Sequence, residues 1–295
     1  MQRLLGKGFD TRWAEFNEDI SIYTANKPRT AAKFGFANAR IRVDFDLTNE
    51  TFAGHLDKVI ADTLDAGLIA VLAKKGSKLK KDPTNPKELE AYVAWWDAAA
   101  TRYANKTHRL MFDVMVEPND QLGKQPDPQP LNHVYQLAAV AIRASNPTRI
   151  LSFAPGNASD AMFFANLTIP KIARPYAMGE WHDFAAGPKA VPCPNHYWTG
   201  NGTAAQRAAF TVIADTAANW QSSPQGAPSW FGAWAVNNAR YNYTVGNQVA
   251  LSSFICDTMA KRGIPWSFNT YRGLFGQNDT PIVELAPVLY TLQKC

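Results

Sequence analysis

Eight short apolar runs, each separated from the next by a longer amphipathic or polar stretch, constrain this chain more than any other feature. The runs end near Phe9, Val43, Leu72, Val116, Phe153, Trp181, Phe231 and Phe268. Helix-like segments occupy 49–64, 86–104, 131–144, 204–221, 248–262 and 282–292, with weaker ones near Trp13 and Asp160. A strand that is apolar throughout is buried on both faces, as in parallel sheets covered by helices. Parallel neighbours require crossover connections, and helices supply them. Eight such units in 295 residues predict an α/β fold: a closed (β/α)8 TIM barrel forming a single domain over 1–295.

Local signals agree with that division. Thr48 sits where an N-cap is expected before Phe52, Leu56, Val59, Ile60 and Leu64, and Gly67 then stops the helix. Pro86 suits a first helical turn, with Leu89, Tyr92, Val93 and Trp96 recurring at helical spacing behind it. Asn146-Pro147 ends a further helix just before the run 149–153.

Composition removes several function classes. With 46% apolar and 19% charged residues the chain is globular, so disorder and fibres are excluded. The longest apolar runs, such as 68–73, fall far short of the roughly 20 residues of a membrane span. The first eight residues lack the apolar core of a signal peptide, so the chain is read either as cytosolic or as secreted with its signal removed. Seven N-x-S/T sequons begin at Asn49, Asn105, Asn157, Asn166, Asn201, Asn242 and Asn278. About two are expected by chance, so secretion is favoured. Cys193, Cys256 and Cys295 allow at most one disulfide and are too scattered for a zinc site; whether Cys193 pairs with Cys256 stays open. The net charge of +5 is concentrated in part at Lys74, Lys75, Lys78, Lys80 and Lys81, read as a solvated loop or, alternatively, an anion-binding rim. No basic-aromatic module suggests nucleic acid. No metal or organic cofactor is implied, and a monomer is expected.

In barrels of this type chemistry sits where the strands end. The fourth run delivers Glu117-Pro118, and partial burial there is expected to raise the carboxyl pKa toward that of a general acid; an ion-paired rim glutamate is the alternative. Glu180 and His182 are two apart and share a strand face. Arg40, if it points inward, needs a carboxylate partner.

The ordered set Gly35-Phe36, Arg40-Ile41, Glu117-Pro118, His182, 228–232 (Pro-Ser-Trp-Phe-Gly) and Trp266-Ser-Phe268 resembles glycoside hydrolase family 5, the cellulase-like β-glycanases of clan A. The resemblance runs from Gly8 to Tyr290 and includes the segment 208–220 before the seventh strand. It implies retaining hydrolysis of a β-linked oligo- or polysaccharide, endo-β-1,4-glucanase-like or mannanase-like, by two carboxylates. It assigns Glu117 as acid/base, Arg40 as the arginine beside the nucleophile, His182 as a sugar-contacting histidine and Trp266 as the stacking platform. Trp198, Trp230 and Trp234 are weaker subsite candidates. The basic loop makes an acidic glycan conceivable, with neutral glucan the family default.

The pattern breaks at the nucleophile. The residue after Gly232 should be glutamate, and Ala233 stands there. A methyl group cannot form a glycosyl-enzyme intermediate, so hydrolysis by this chain should be nearly abolished, whether the change is engineered or natural. Val116, Phe184 and Lys75 also stand where the family offers asparagine, tyrosine and histidine. The alternative reading is therefore a carbohydrate-binding pseudoenzyme. Glu180, or less well Asp183, is a candidate rescue carboxylate.

Overall fold

Eight parallel strands close into a barrel in sequence order: β1 (Lys7–Thr11), β2 (Asn38–Val43), β3 (Ile69–Lys74), β4 (Leu110–Asp113), β5 (Leu151–Phe153), β6 (Ala177–His182), β7 (Ser229–Trp234) and β8 (Trp266–Asn269). Parallel pairing of β1 with β8 completes the ring. The computed structural model describes residues 1–124, 126–184, 198–236 and 243–295. The (β/α)8 expectation holds.

Helix boundaries follow side-chain caps. The helix Glu50–Asp65 starts one residue later than expected, because Asn49, not Thr48, accepts the Phe52 N–H at 3.1 Å. Pro86 opens Pro86–Arg102 behind the Asn85 cap. Thr203 and Gln206 form a reciprocal capping box on Ala204–Gln221, and Gly263, at φ +62°, closes Val245–Arg262 in a left-handed conformation.

Apolar side chains separate into two layers. Leu5, Ile69, Val71, Met111, Met178 and Trp230 fill the floor of the lumen. Outward residues such as Ile41, Leu72, Phe112, Phe153 and Phe231 join the helices in the larger core. Above the floor the lumen turns polar, with Asp10, Arg40, Asp113, Ser152, Glu180 and His182 all buried. Charge in a barrel interior is expensive unless paired, so its location marks the end of the barrel where function is built.

Cys256 forms a disulfide with Cys295, tying the C-terminal helix Ala286–Lys294 to Val245–Arg262; Cys193 lies outside the described residues. The bridge closes a loop of 39 residues. Cys295→Ser should therefore lower stability by about 4 kcal/mol in oxidising buffer. Urea denaturation with and without reductant checks this, and a variant that matches the oxidised parent would contradict it. Among the described residues, no helix is long and apolar enough to cross a membrane, and no cluster of His, Cys, Asp and Glu could hold a metal.

Candidate active site

Strand parity and one bulge aim the central side chains. Glu180 and His182 point into the lumen, while Trp181 between them stacks outward on Phe231 with ring centroids 4.1 Å apart. Across the β6–β7 pair, Glu180 lies opposite Trp230, Trp181 opposite Phe231, and His182 opposite Ala233, which leaves Gly232 as the extra residue of a β-bulge. The bulge needs glycine, since a Cβ at Gly232 would lie 1.9 Å from Glu180 Oε1. It brings Ala233 beside His182 on the lumen side and returns Trp234 to the helix layer, its ring 6.2 Å from that of Phe231.

Arg40 is the hub of the lumen charges and is 0% exposed. Its Nε and Nη2 donate to Asp113 Oδ2 at 2.8 and 2.5 Å, and Nη2 lies 3.4 Å from Glu180 Oε1. Asp10 Oδ1 is 3.8 Å from Nη1, and Ser152 Oγ donates to the other Asp113 oxygen at 3.0 Å. His182 bridges two carboxylates, with Nε2 2.5 Å from Glu180 Oε1 and Nδ1 3.0 Å from Glu117 Oε1. Burial alone would lower its pKa, but the charge of Glu180 and the bonds to Glu117 and Glu180 raise it to about 9. The raised pKa favours the protonated ring, and Arg40 Nη1 lies 2.9 Å from the same Nε2, a contact whose donor and acceptor are set by the histidine tautomer.

Glu117 departs from expectation. Burial pushes its carboxyl up, but the His182 hydrogen bond and charge, with Arg40 and Arg42, hold it down at about 2. The raised pKa of a resting general acid is absent, because the imidazolium stabilises the carboxylate. β4 ends at Asp113 rather than Val116, and Glu117 adopts φ +46°. Lys80 Nζ donates to the carbonyls of Val116 and Glu117 at 3.0 and 3.1 Å, which steadies this uncommon backbone.

A second ring of charge lies beside the first. Buried Glu15 meets Lys75 Nζ at 2.7 Å and Arg42 Nη2 at 3.1 Å, and Arg42 Nε is 3.4 Å from Asp10 Oδ1. Burial pushes the Asp10 carboxyl up against the opposing pull of Arg42 and Arg40. The solvated-loop reading of the lysines needs correction. Lys74 donates to the Asp44 and Phe45 carbonyls, and burial lowers its pKa to about 8; Lys75 and Lys80 are engaged as above. Lys78 and Lys81 alone among the five stand exposed.

A sequence model of cellulase (glycosyl hydrolase family 5) matches residues 10–272. This chain belongs to glycosyl hydrolase family 5. It is similar to endoglucanase H of Acetivibrio thermocellus, 28% identical over 255 residues that make up 83% of this chain and 26% of that protein. The chain therefore spans about a quarter of that relative's length. Its fold is similar to that of the cellulose synthase subunit Z of Clostridioides difficile (TM-score 0.82, 20% identity, 98% of this chain and 99% of that one). It is also similar to endoglucanase Cel5A of Thermotoga maritima (TM-score 0.84, 17% identity, 99% and 98%).

Set on this family 5 barrel, the expected site residues divide. Arg40, Glu117, Glu180 and His182 meet at one centre with Ala233 beside it, and the Phe184 ring lies edge-on 6.1 Å from His182. Val116 is buried next to Glu117, and Lys75 belongs to the Glu15 ring. Asp183, half-buried, is pushed up to about 7 by burial and by Asp160.

Trp266 is a correction. It begins β8 opposite Lys7, at the end of the barrel away from His182, and its ring packs edge-on against Phe36 and Trp234 in the outer core. It cannot serve as a platform for sugar. Trp198, Trp230 and Trp234 are likewise buried in packing. Glu180 is corrected as a rescue nucleophile, because a carboxylate 0% exposed and enclosed by Arg40, His182 and the Gly232 backbone has no path to a sugar ring.

Sequence reasoning missed Asp113, the actual partner of Arg40, and the acids Asp10 and Glu15. It also missed Phe16, 38% exposed with the Arg12 guanidinium 4.6 Å over its ring, and Asn269, which ends β8 opposite Asp10. Position in the polar stretches at the strand ends was the available signal for all but Asp113. The segments 185–197 and 237–242 lie outside the described residues.

Proposed function

We propose that this chain is a β-glycan-binding member of family 5 that does not complete hydrolysis. The observation that carries the reading is Ala233 opposite His182, in a centre whose remaining carboxylates are all held by cations. Position 233 is read as the nucleophile position and Glu117 as the acid/base position. With a methyl group at 233 no covalent intermediate forms, and a Glu117 carboxyl held ionised by His182 has no proton to give the leaving oxygen. What the centre can do is bind. Arg40 and His182 organise the lumen, Glu117 and Asn269 offer hydrogen-bonding groups at the mouth, and Phe184 and Phe16 are the accessible rings on which a sugar face can stack.

The ligand class follows from the family and from the names of its relatives, two of them endoglucanases. A neutral β-linked glucan or mannan fits better than an acidic glycan, because most lysines of the basic loop are already engaged within the protein. Secretion is part of the proposal. All six sequon asparagines among the described residues are exposed, and the Cys256–Cys295 disulfide suits an oxidising compartment.

Calorimetric titration with cello- and manno-oligosaccharides, run beside a reducing-sugar assay on soluble β-glucan, tests the reading. Saturable binding with no release above a Glu117→Ala control is expected. Release above that control would overturn hydrolytic silence, and absence of binding to either series would overturn the glycan assignment. Phe184→Ala and Phe16→Ala should each weaken binding about three- to tenfold, corresponding to the loss of one stacked ring.

A further inference from the structure

Arg40 Nη1 and His182 Nε2 lie 2.9 Å apart in the lumen, so a guanidinium and, whenever the ring is protonated, an imidazolium share one small buried space. Such a pair persists only where negative charge lies close to both. Asp113 is in direct contact with Arg40 and Glu117 with His182, and Asp10 lies 3.8 Å from Arg40 Nη1. Among the described residues one carboxylate is in direct contact with both Arg40 and His182: Glu180 Oε1 lies 2.5 Å from His182 Nε2 and 3.4 Å from Arg40 Nη2. Room for it depends on Gly232, whose missing Cβ would overlap that oxygen, and the bulge at Gly232 also sets Ala233 directly opposite His182. Position 233 and residue 180 therefore flank the same imidazole ring, one with a methyl group and the other with a carboxylate.

We propose that Glu180 is a charge surrogate, a buried positioning residue that supplies Arg40 and His182 with the negative charge that a carboxylate at position 233 would otherwise provide. The proposal rests on reading 233 as the nucleophile position and deepens it. The lumen accommodates one carboxylate there, from either position, and restoring the second without removing the first places like charges around one imidazolium. Ala233→Glu alone is then no repair of this site. The alanine belongs with Glu180 as a compensated pair, which argues for a natural origin.

A four-member cycle of parent, Glu180→Gln, Ala233→Glu and the double variant tests this, read by urea denaturation and by the His182 imidazole pKa from NMR titration. Each single variant should lower the folding constant at least tenfold, and Glu180→Gln should drop the His182 pKa by at least one unit. Adding Ala233→Glu to Glu180→Gln should recover most of both losses. Additive effects in the double variant would overturn the surrogate.

Ala233→Gln provides a measurement that does not need Glu180→Gln to fold. It matches Ala233→Glu in size without the charge, and should keep the folding constant at least fivefold above that of Ala233→Glu at pH 7. Equal effects of the two would overturn the proposal. Oligosaccharide titration of the parent protein separates the underlying reading. Additivity with intact glycan binding removes the surrogate alone, whereas coupling without any glycan binding removes the glycan site and leaves the surrogate standing.

Discussion

Replacing Arg40 with methionine should destabilise the fold by about 3–5 kcal/mol, the cost of stranding a buried charge by deleting its partner. Asp113 and Glu180 are both 0% exposed and would face each other across the vacated guanidinium, with His182 as the remaining close basic group among the described residues. Urea denaturation near pH 7 measures the loss. Adding Asp113→Leu to Arg40→Met should recover part of it, because an apolar pair of similar volume removes the stranded carboxylate. A loss below about 1 kcal/mol would mean that the lumen charges are already hydrated, and that the paired network is not what holds them.

Stability should also fall as pH rises through the neutral range, with His182 as one cause beside the raised carboxyls of Asp113 and Asp183. Among the described residues, the charged groups acting on His182 are Glu180 on its own strand, Glu117 after β4, and Arg40 and Asp10 on β2 and β1. Its folded pKa of about 9 exceeds the reference value of 6.5. A raised histidine contributes its stabilisation fully below the unfolded pKa and loses it as pH climbs to the folded one. Between pH 6.5 and 8 the decline should reach about 2 kcal/mol.

Lys74 acts in the opposite sense. Burial lowers its folded pKa to about 8 from 10.5, so its contribution grows above pH 8 and opposes further decline. The readout is therefore the difference between parent and His182→Gln at pH 6.5 and pH 8. A gap of equal size at both pH values would show that His182 is neutral in the folded protein.

Much of the fold could be read from the chain, and the errors have physical sources. The alternation W-S-F-N over 266–269 already puts Trp266 and Phe268 on one face and Ser267 and Asn269 on the other. Parity alone could have assigned the aromatic pair to the helix layer, as found, and directed attention to Asn269. The sequence places Glu117 at the end of an apolar run, whereas β4 ends at Asp113 and the ionisation of Glu117 depends on a contact distant in the chain. Burial was foreseen, whereas the His182 bond that outweighs it joins residues 65 positions apart. Arg40 was expected to need a carboxylate, yet nothing local distinguishes Asp113, 73 positions away, from other acids.

By itself the sequence determined the eight strand-helix units and the barrel they close, and it shows the alanine at position 233, because hydrophobic periodicity and residue identity are local properties. Only the tertiary structure decided which charges meet. The bulge at Gly232, the opposition of Ala233 and His182, and the capture of Glu180 by Arg40 and His182 all arise from register between strands distant in the chain. Register sets distance, and in a poorly hydrated lumen distance sets which groups are charged.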